Sequence, residues 1–455
     1  MIPPPERSDF PALAGREPPA YLDSACMSLV PRPVLGAMEA YYREYPGCAG
    51  RSLHRFAEEV GRRYEAARVA YARFFGGVDP NGVVFLRNAT EAINLVGQGL
   101  PWRRGDRVLI SDQEHNSNLI VWQRLARERG IRLEVLSLPD DGSFDPDALA
   151  QLLSRPVRLV SLFHTSNLDG RSLPVREIAE EAHDRGALVL FDGCQAAPHE
   201  AVDLGRIGAD FYAVSGHKML GPTGTGVLLG RAEALESLRP LVVGGETVAW
   251  STLSDHALRP PPYRFEAGLQ NYAGVIGAHA ALDYLTRVGF EEVHRRALDL
   301  NRRVSRALAG ERRLRLLGPA APEERPSIFA FALDGIDPND TALFLDEGHR
   351  VMVRSGMHCV HSYYERRGLP GNVRASFYLY NNRPDAEALI AGVREILERV
   401  GPGRLNGTSA GTARPTTRPG SARRHGAGSR AAAARSARPL RTTGRRRAAS
   451  ATGSG

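Results

Sequence analysis

The residues best suited to chemistry lie in Ser215-Gly216-His217-Lys218-Met219-Leu220-Gly221-Pro222-Thr223-Gly224, between two short apolar runs, Phe211–Val214 and Gly226–Leu229. A lysine at the mouth between two core strands is placed to form a Schiff base with a carbonyl compound. Ser215 and His217 beside it offer hydrogen bonds to a phosphate, and the glycines let a flat ring approach the backbone. Taken alone, the stretch reads more readily as a solvated loop lysine.

Every other polar cluster of note also follows an apolar run. Asn88-Ala89-Thr90-Glu91 comes after Val83–Leu86 and opens a helical pattern. Its amides, the Thr90 hydroxyl and the positive helix end make an anion seat, the dipole contributing roughly 0.3–1 kcal/mol at an exposed site. Glu114-His115-Asn116-Ser117-Asn118 follows Val108–Ser111, where His115 can lie flat over an aromatic ring. His164-Thr165-Ser166-Asn167 follows Leu159–Phe163, and Asp192-Gly193-Cys194-Gln195 follows Leu188–Phe191. A carboxylate at Asp192 can keep a pyridine nitrogen protonated, which makes that ring an electron sink. Each cluster has a plainer reading as a helix cap, a hydrogen-bonded buried carboxylate or a core cysteine. Together they describe one ligand, a phosphorylated pyridine aldehyde held on Lys218.

The elements that must position these groups alternate. Apolar strands, with Leu133–Leu138 among them, are separated by helical stretches such as Glu91–Gly99, Leu119–Arg129 and Val175–Arg185. This is the pattern of an α/β fold with a mainly parallel, seven-stranded sheet covered on both faces, whose ligands sit at the carboxyl ends of the strands. Upstream, residues 1–20 read as an irregular arm. Tyr21–Ala25 reads as a short extended piece, and Pro31–Tyr45 and Glu58–Phe75 as helices. After Gly230 the pattern changes. Pro260-Pro261-Pro262 reads as a rigid connector, followed by helices over Ala273–Val288 and on through Leu308. Strands at Ile328–Leu333, Val351–Arg354 and Ala375–Tyr380, with helices at Thr341–Glu347 and Asp385–Val400, make a smaller α+β lobe. The expected division is therefore an arm (1–20), a segment contributing to the small lobe and pocket (21–75), a large domain (76–270), a small domain (271–400) and a tail (401–455).

At 455 residues and 42% hydrophobic content the chain can bury a sizeable core. No apolar stretch nears the roughly 20 residues that would span a bilayer, and Met1–Gly15 is polar and proline-rich, so a cytoplasmic chain is expected. The twelve arginines of the 401–455 stretch exceed the whole formal charge of +8, which leaves the preceding residues net acidic by four. The basic balance is thus no sign that the folded body binds nucleic acid. The tail cannot support a core, and it reads as a solvated arm, an RNA-attracting arm or out-of-frame translation of GC-rich DNA. Cys26, Cys48, Cys194 and Cys359 lack disulfide or metal-site spacing, and no metal is expected.

In these motifs the chain resembles the class V pyridoxal-phosphate aminotransferase superfamily of fold type I, within the group II, Suf-type cysteine desulfurases. The resemblance runs from Tyr21 to Arg399. Besides the Lys218 and Asp192 motifs, it is carried by Arg354-Ser355-Gly356-Met357-His358-Cys359 and Arg374-Ala375-Ser376-Phe377-Tyr378. It implies pyridoxal 5′-phosphate as cofactor. Lys218 would carry it and move the substrate α-proton, with His115 on the ring face, Asp192 at the ring nitrogen and Gln195 at the phenolic oxygen. Thr90, Ser215 and His217, with Ala89 beside them, would hold the phosphate. Arg374 and Asn167 would bind the substrate carboxylate, with Arg354, His54 and Arg55 in the same pocket.

Cys359 matches the sulfur-accepting cysteine, and its neighbours Arg354 and His358 suit a reactive thiol. The resemblance further implies L-cysteine or L-selenocysteine as substrate, L-alanine as product, a homodimer and a protein that accepts the sulfur, as in iron–sulfur cluster assembly. Another class V activity on the same fold, such as an aminotransferase, epimerase or C–S lyase, is the alternative. A nucleic-acid role through the basic tail is a third. The chain departs from the family pattern at Met357 and Val360, at Ala89, which lacks a hydroxyl, and at Leu269, where a threonine usually reaches the phosphate of the neighbouring subunit.

Overall fold

A computed structural model describes residues 7–400. The expectations for residues 1–6 and for the basic 401–455 stretch lie outside the described residues. After two short turns the chain forms β1 (Ala20–Tyr21), α1 (Arg32–Glu44) and α2 (Arg55–Phe74). The alternation then begins with β2 (Val83–Leu86), α3 (Ala89–Gly99), β3 (Arg107–Ser111), α4 (Ile120–Arg129) and β4 (Arg132–Leu136). It continues through α5 (Pro146–Leu153), β5 (Leu159–Phe163), α6 (Val175–Asp184), β6 (Leu188–Asp192), the one-turn α7 (Leu204–Ile207) and β7 (Phe211–Ser215). β8 (Gly226–Gly230) and α8 (Ala232–Glu236) complete this part.

These strands form one sheet in the order β2-β8-β7-β6-β5-β3-β4, parallel except for β8, which runs against both neighbours. The α/β expectation with a mainly parallel seven-stranded sheet is borne out. The strands read as unbroken apolar runs because both faces are covered. Val160, Val189 and Tyr212 pack with residues of α2, α6 and α9 (Tyr272–Val288), whereas Leu159, Leu190 and Phe211 pack with α3 and α4.

Beyond the sheet lie a hairpin of β9 (Val248–Ser251) and β10 (His256–Leu258), the α9 helix, and α10 (Phe290–Leu308). Then follow β11 (Leu314–Leu316), β12 (Ile328–Leu333), α11 (Pro338–His349), β13 (Val351–Met352), β14 (Arg354–Gly356), α12 (His361–Arg367), β15 (Asn372–Ser376) and α13 (Arg383–Arg399). A second, antiparallel sheet has the order β11-β12-β15-β14 and packs on α10, α11 and α13.

Three local readings need correction. Val351–Arg354 is not one strand: β13 pairs in parallel with β1, while β14 pairs with β15 in the other sheet. The strand expected to end at Tyr380 ends at Ser376, because Tyr378 N–H turns back to the Asn381 side chain. The strand expected to reach Leu138 ends at Leu136, and the Leu138 N–H is taken by Asp112.

The irregular arm is anchored as well, with the fully buried Phe10 edge-on to Tyr284 and Tyr380. A buried ion pair fixes the connector to the large sheet. Arg68 on α2 grips both oxygens of Glu266 at 2.8 and 3.0 Å, and Glu266 also accepts the Tyr64 hydroxyl and the Phe85 N–H. No helix among the described residues is long and apolar enough to cross a membrane.

Candidate active site

The carboxyl ends of β5, β6 and β7 and the N-terminus of α3 open into one cleft of about 860 Å³, its mouth included. The register places Asp192 beside Phe163 and Ala213, and Ser215 beside Gly226. Two glycines are steric necessities here. A Cβ on Gly193 would fall 2.0 Å from the Tyr212 ring, and one on Gly226 would fall 2.5 Å from Asn88 Cα. The second contact lets the start of α3 sit directly against the strand that follows the Lys218 loop.

That start is capped by the Asn88 side chain, which accepts the Glu91 N–H at 3.0 Å. The Ala89 N–H donates to Ser215 Oγ at 2.9 Å, so the residue lacking a hydroxyl still fixes a neighbouring one. The Thr90 and Ser117 hydroxyls share a hydrogen bond of 2.7 Å. Thr90, Ser215, His217 and Lys218 all line the cleft.

Lys218 is the only lysine among the 59 Lys and Arg residues of the chain. An arginine supplies positive charge anywhere on a surface, but its guanidinium stays protonated and cannot act as an amine nucleophile. A single lysine kept at the mouth of this cleft therefore points to chemistry that needs an amine.

Burial, and next the charge of Lys218, hold His115 down at about 4, and the same causes hold His217 at about 4. Both imidazoles are neutral at neutral pH. Asp192 lines the cleft with Oδ1 accepting the Cys194 N–H at 3.0 Å. An amine, a neutral imidazole, a strand-end carboxylate and a capped helix N-terminus with two hydroxyls fit a phosphorylated pyridine aldehyde.

On the opposite wall Cys359 sits between β14 and α12, with His358 (φ 47°) and Cys359 (φ 61°) both in the left-handed region. Such backbone costs about 1–3 kcal/mol per non-glycine residue and persists only where the surroundings enforce it. They do so here: Asn167 Nδ2 donates to His358 O at 2.8 Å, and Asn116 N–H donates to Cys359 O at 2.7 Å. Arg354 reaches Cys359 Sγ through Nη2 at 3.6 Å. Arg374, 1% exposed, donates to Asn167 O at 2.7 Å and to Asp23 at 3.3 Å.

Of the residues expected here, all but His54 and Arg55 line the cleft. His54 caps α2 by accepting the Ala57 N–H, and both side chains are exposed, so within one chain they do not join the site. The Asn167 amide is bound to the cysteine loop, and Gln195 Nε2 donates to Ala25 O at 2.7 Å. His358 is not a cationic neighbour of the thiol. Burial holds it well below its ordinary range, and Nε2 pairs with Asn372 Oδ1 at 2.6 Å. Leu269 is 62% exposed and lies off the cleft lining.

Two residues went unassigned in the sequence. Cys26 lines the cleft, with Arg354 Nη1 at 2.6 Å from its sulfur. Glu114 is fully buried behind His115, where it accepts Ser111 Oγ–H, Asn118 Nδ2–H and Phe163 N–H. Burial pushes its carboxyl up to about 8. The folded state therefore favours the acid, so this group's stabilisation is full below about pH 4.5 and is lost as pH rises through about 8. We expect the melting temperature of wild type to fall relative to Glu114→Gln between about pH 5 and about pH 9. Parallel melting curves for the two proteins across that range would rule the buried acid out.

The aminotransferase class-V family model matches residues 20–389. A protein of Halobacterium salinarum named as a probable cysteine desulfurase is 38% identical over 403 residues, covering 87% of this chain and 97% of the relative. The apo structure of a cysteine desulfurase from Thermococcus onnurineus superposes with a TM-score of 0.84 at 34% identity, covering 88% of this chain and 100% of that one. A lysine variant of C-DES, with glycine covalently linked to its PLP cofactor, superposes with a TM-score of 0.73 at 25% identity, covering 85% of this chain and 98% of that one.

Proposed function

This chain belongs to the aminotransferase class-V family, and we propose that it is a pyridoxal-phosphate-dependent cysteine desulfurase, with Cys359 as the residue that takes the sulfur. The observation that carries the assignment is the Cys359 thiol facing the same cleft as the chain's only lysine, on a loop whose strained backbone is tied down at both carbonyls. An aminotransferase has no use for such a thiol.

When bound, pyridoxal phosphate supplies an electron sink for breaking bonds at the α and β carbons of an amino acid. Lys218 Nζ would hold it and would carry the substrate α-proton. Thr90, Ser215 and His217 would hold the phosphate, with Ala89 N–H fixing the Ser215 hydroxyl, while Asp192 would meet the ring nitrogen, His115 the ring face and Gln195 the ring edge. Arg374, Arg354 and Asn167 surround the amino-acid carboxylate. Arg374 Nε, buried without a partner among the described residues, is a donor such a carboxylate would satisfy.

The Cys359 thiol attacks the substrate sulfur, an S–S bond forms as the Cβ–S bond breaks, the electron pair stays on the carbon side and takes up a proton at Cβ, and L-cysteine leaves as L-alanine. The sulfur stays on the enzyme as a persulfide for an acceptor protein, an activity suited to the reducing cytoplasm. Full-length holoenzyme given L-cysteine should yield alanine, with the sulfur appearing first as protein-bound sulfane sulfur. Pyruvate and free ammonia in place of alanine would point to a C–S lyase instead.

The partner expected for this site is a second copy. Leu53 (95% exposed), Trp250 (51%) and Leu269 lie on segments that touch each other: Arg51 pairs with Glu246, and Gly268 N–H donates to Gly245 O. An exposed apolar face of this kind suits an interface, and His54 and Arg55 lie at its edge. Sedimentation of the full chain should give a dimer, and Trp250→Glu with Leu253→Glu should shift it to monomer. A monomeric wild type refutes the assignment.

A further inference from the structure

Cys26 follows Asp23, Ser24 and Ala25 on a turn fixed from several sides. Its N–H donates to Asp23 O at 3.0 Å, Ala25 N–H donates to Ser376 Oγ at 2.9 Å, and Gln195 holds Ala25 O. The side chain is half-buried and faces the cleft. Arg354 connects the two thiols there, with Nη1 on the Cys26 sulfur at 2.6 Å and Nη2 on the Cys359 sulfur at 3.6 Å. One guanidinium therefore seats two half-buried sulfurs on its two amino nitrogens. The third cysteine of the cleft is a different kind of group. Cys194 is fully buried, burial pushes its thiol up to about 12, and its sulfur rests 3.6 Å from Ser215 Oγ. A thiol so placed is inert.

The geometry points to Cys26 as a resolving cysteine, which discharges the Cys359 persulfide as sulfide and closes a Cys26–Cys359 disulfide when no acceptor collects the sulfur. This rests on the persulfide reading of Cys359 above. The Cys26 sulfur attacks Cys359 Sγ, and the Sγ–Sγ bond forms as the bond from Cys359 Sγ to the outer sulfur breaks. The outer sulfur leaves with that electron pair and takes up the Cys26 proton as hydrogen sulfide. It is reduced as the Cys26 sulfur is oxidised, while Cys359 Sγ exchanges one S–S bond for another, so no outside oxidant enters. Attack by a thiol on an accessible S–S bond is ordinary exchange chemistry. Arg354, half-buried on β14, must swing aside for the sulfurs to meet. A dithiol reductant then restores both thiols.

The test uses full-length holoenzyme given a single equivalent of L-cysteine without reductant or acceptor, quenched by alkylation, with intact mass, peptide mapping and free sulfide measured over time. Wild type should gain one sulfur on the Cys359 peptide and then lose it. It should end lighter by two hydrogens, with the Cys26 and Cys359 peptides cross-linked and one sulfide released per cross-link. Cys26→Ser and Cys26→Ala should keep the sulfur on Cys359 and form no cross-link. A wild type that retains its persulfide as long as both variants overturns the inference. So does sulfur that moves onto Cys26 without a cross-link. Absence of sulfur on Cys359 in all three proteins overturns the persulfide reading as well, which separates that failure from a persulfide that forms and is never resolved.

Discussion

Cys359→Ser holoenzyme given L-cysteine should carry no sulfane sulfur, and its alanine production should fall by at least roughly a hundredfold, the lower range for losing a positioned catalytic group. The physical case is local. Serine is nearly isosteric with cysteine, and the ties that hold the loop run to the His358 and Cys359 carbonyls, which the substitution leaves in place. The cleft should keep its shape, and the absorbance of bound cofactor should match wild type. What is lost is a soft nucleophile able to form a bond to sulfur, and an alcohol is a poor substitute. Residual alanine formation that depends on an added thiol is compatible with this, because one thiol can attack the substrate sulfur and a second can release it as sulfide, leaving a disulfide. Wild-type rates of alanine formation in the variant would remove Cys359 from the reaction. Comparison with Cys26→Ser gives the contrast: that variant should gain sulfur on Cys359 and Cys359→Ser should not.

The large sheet was legible because its physics is repetitive. Strands such as β5 and β7 are buried along their whole length and read as apolar runs, and the polar groups at their carboxyl ends stand out against them. For the same reason most of the cleft could be assembled from short motifs, each following a strand. The misses share a cause: they depend on contacts between distant segments. Cys26 lies on an aperiodic turn, held by Ser376, Gln195 and Asp23, and two of those three partners are far along the chain. Glu114 sits next to a residue that was singled out, yet its burial arises from the ends of β3 and β5 and the turn between them. His358 read as a cation beside a thiol, because no periodicity shows that its ring turns away to Asn372. The exposed β9–β10 hairpin escaped notice because Trp250 faces outward, where an apolar residue carries no pattern of a core.

The largest expected loss is at Lys218. Lys218→Arg keeps the positive charge and most of the side chain's reach, whereas Lys218→Ala removes both, and the two variants should fail alike. Arginine cannot shed its proton, so it neither forms a Schiff base nor carries a proton between carbons. Loss of proton transfer alone should lower turnover by roughly a hundredfold to ten-thousandfold, and loss of the covalent hold adds to it. The composition makes the covalent part unusually clean to read, since no other lysine side chain exists to stand in. Borohydride reduction of wild-type holoenzyme should bleach the yellow colour and add the mass of the reduced cofactor to the single peptide containing Lys218. In both variants that mass should be missing after reduction. The α-amino terminus is the one other primary amine, so peptide mapping tells the two attachment points apart. Label on the terminus in wild type, or activity retained by Lys218→Arg, would show that the amine required by the reaction is not Lys218.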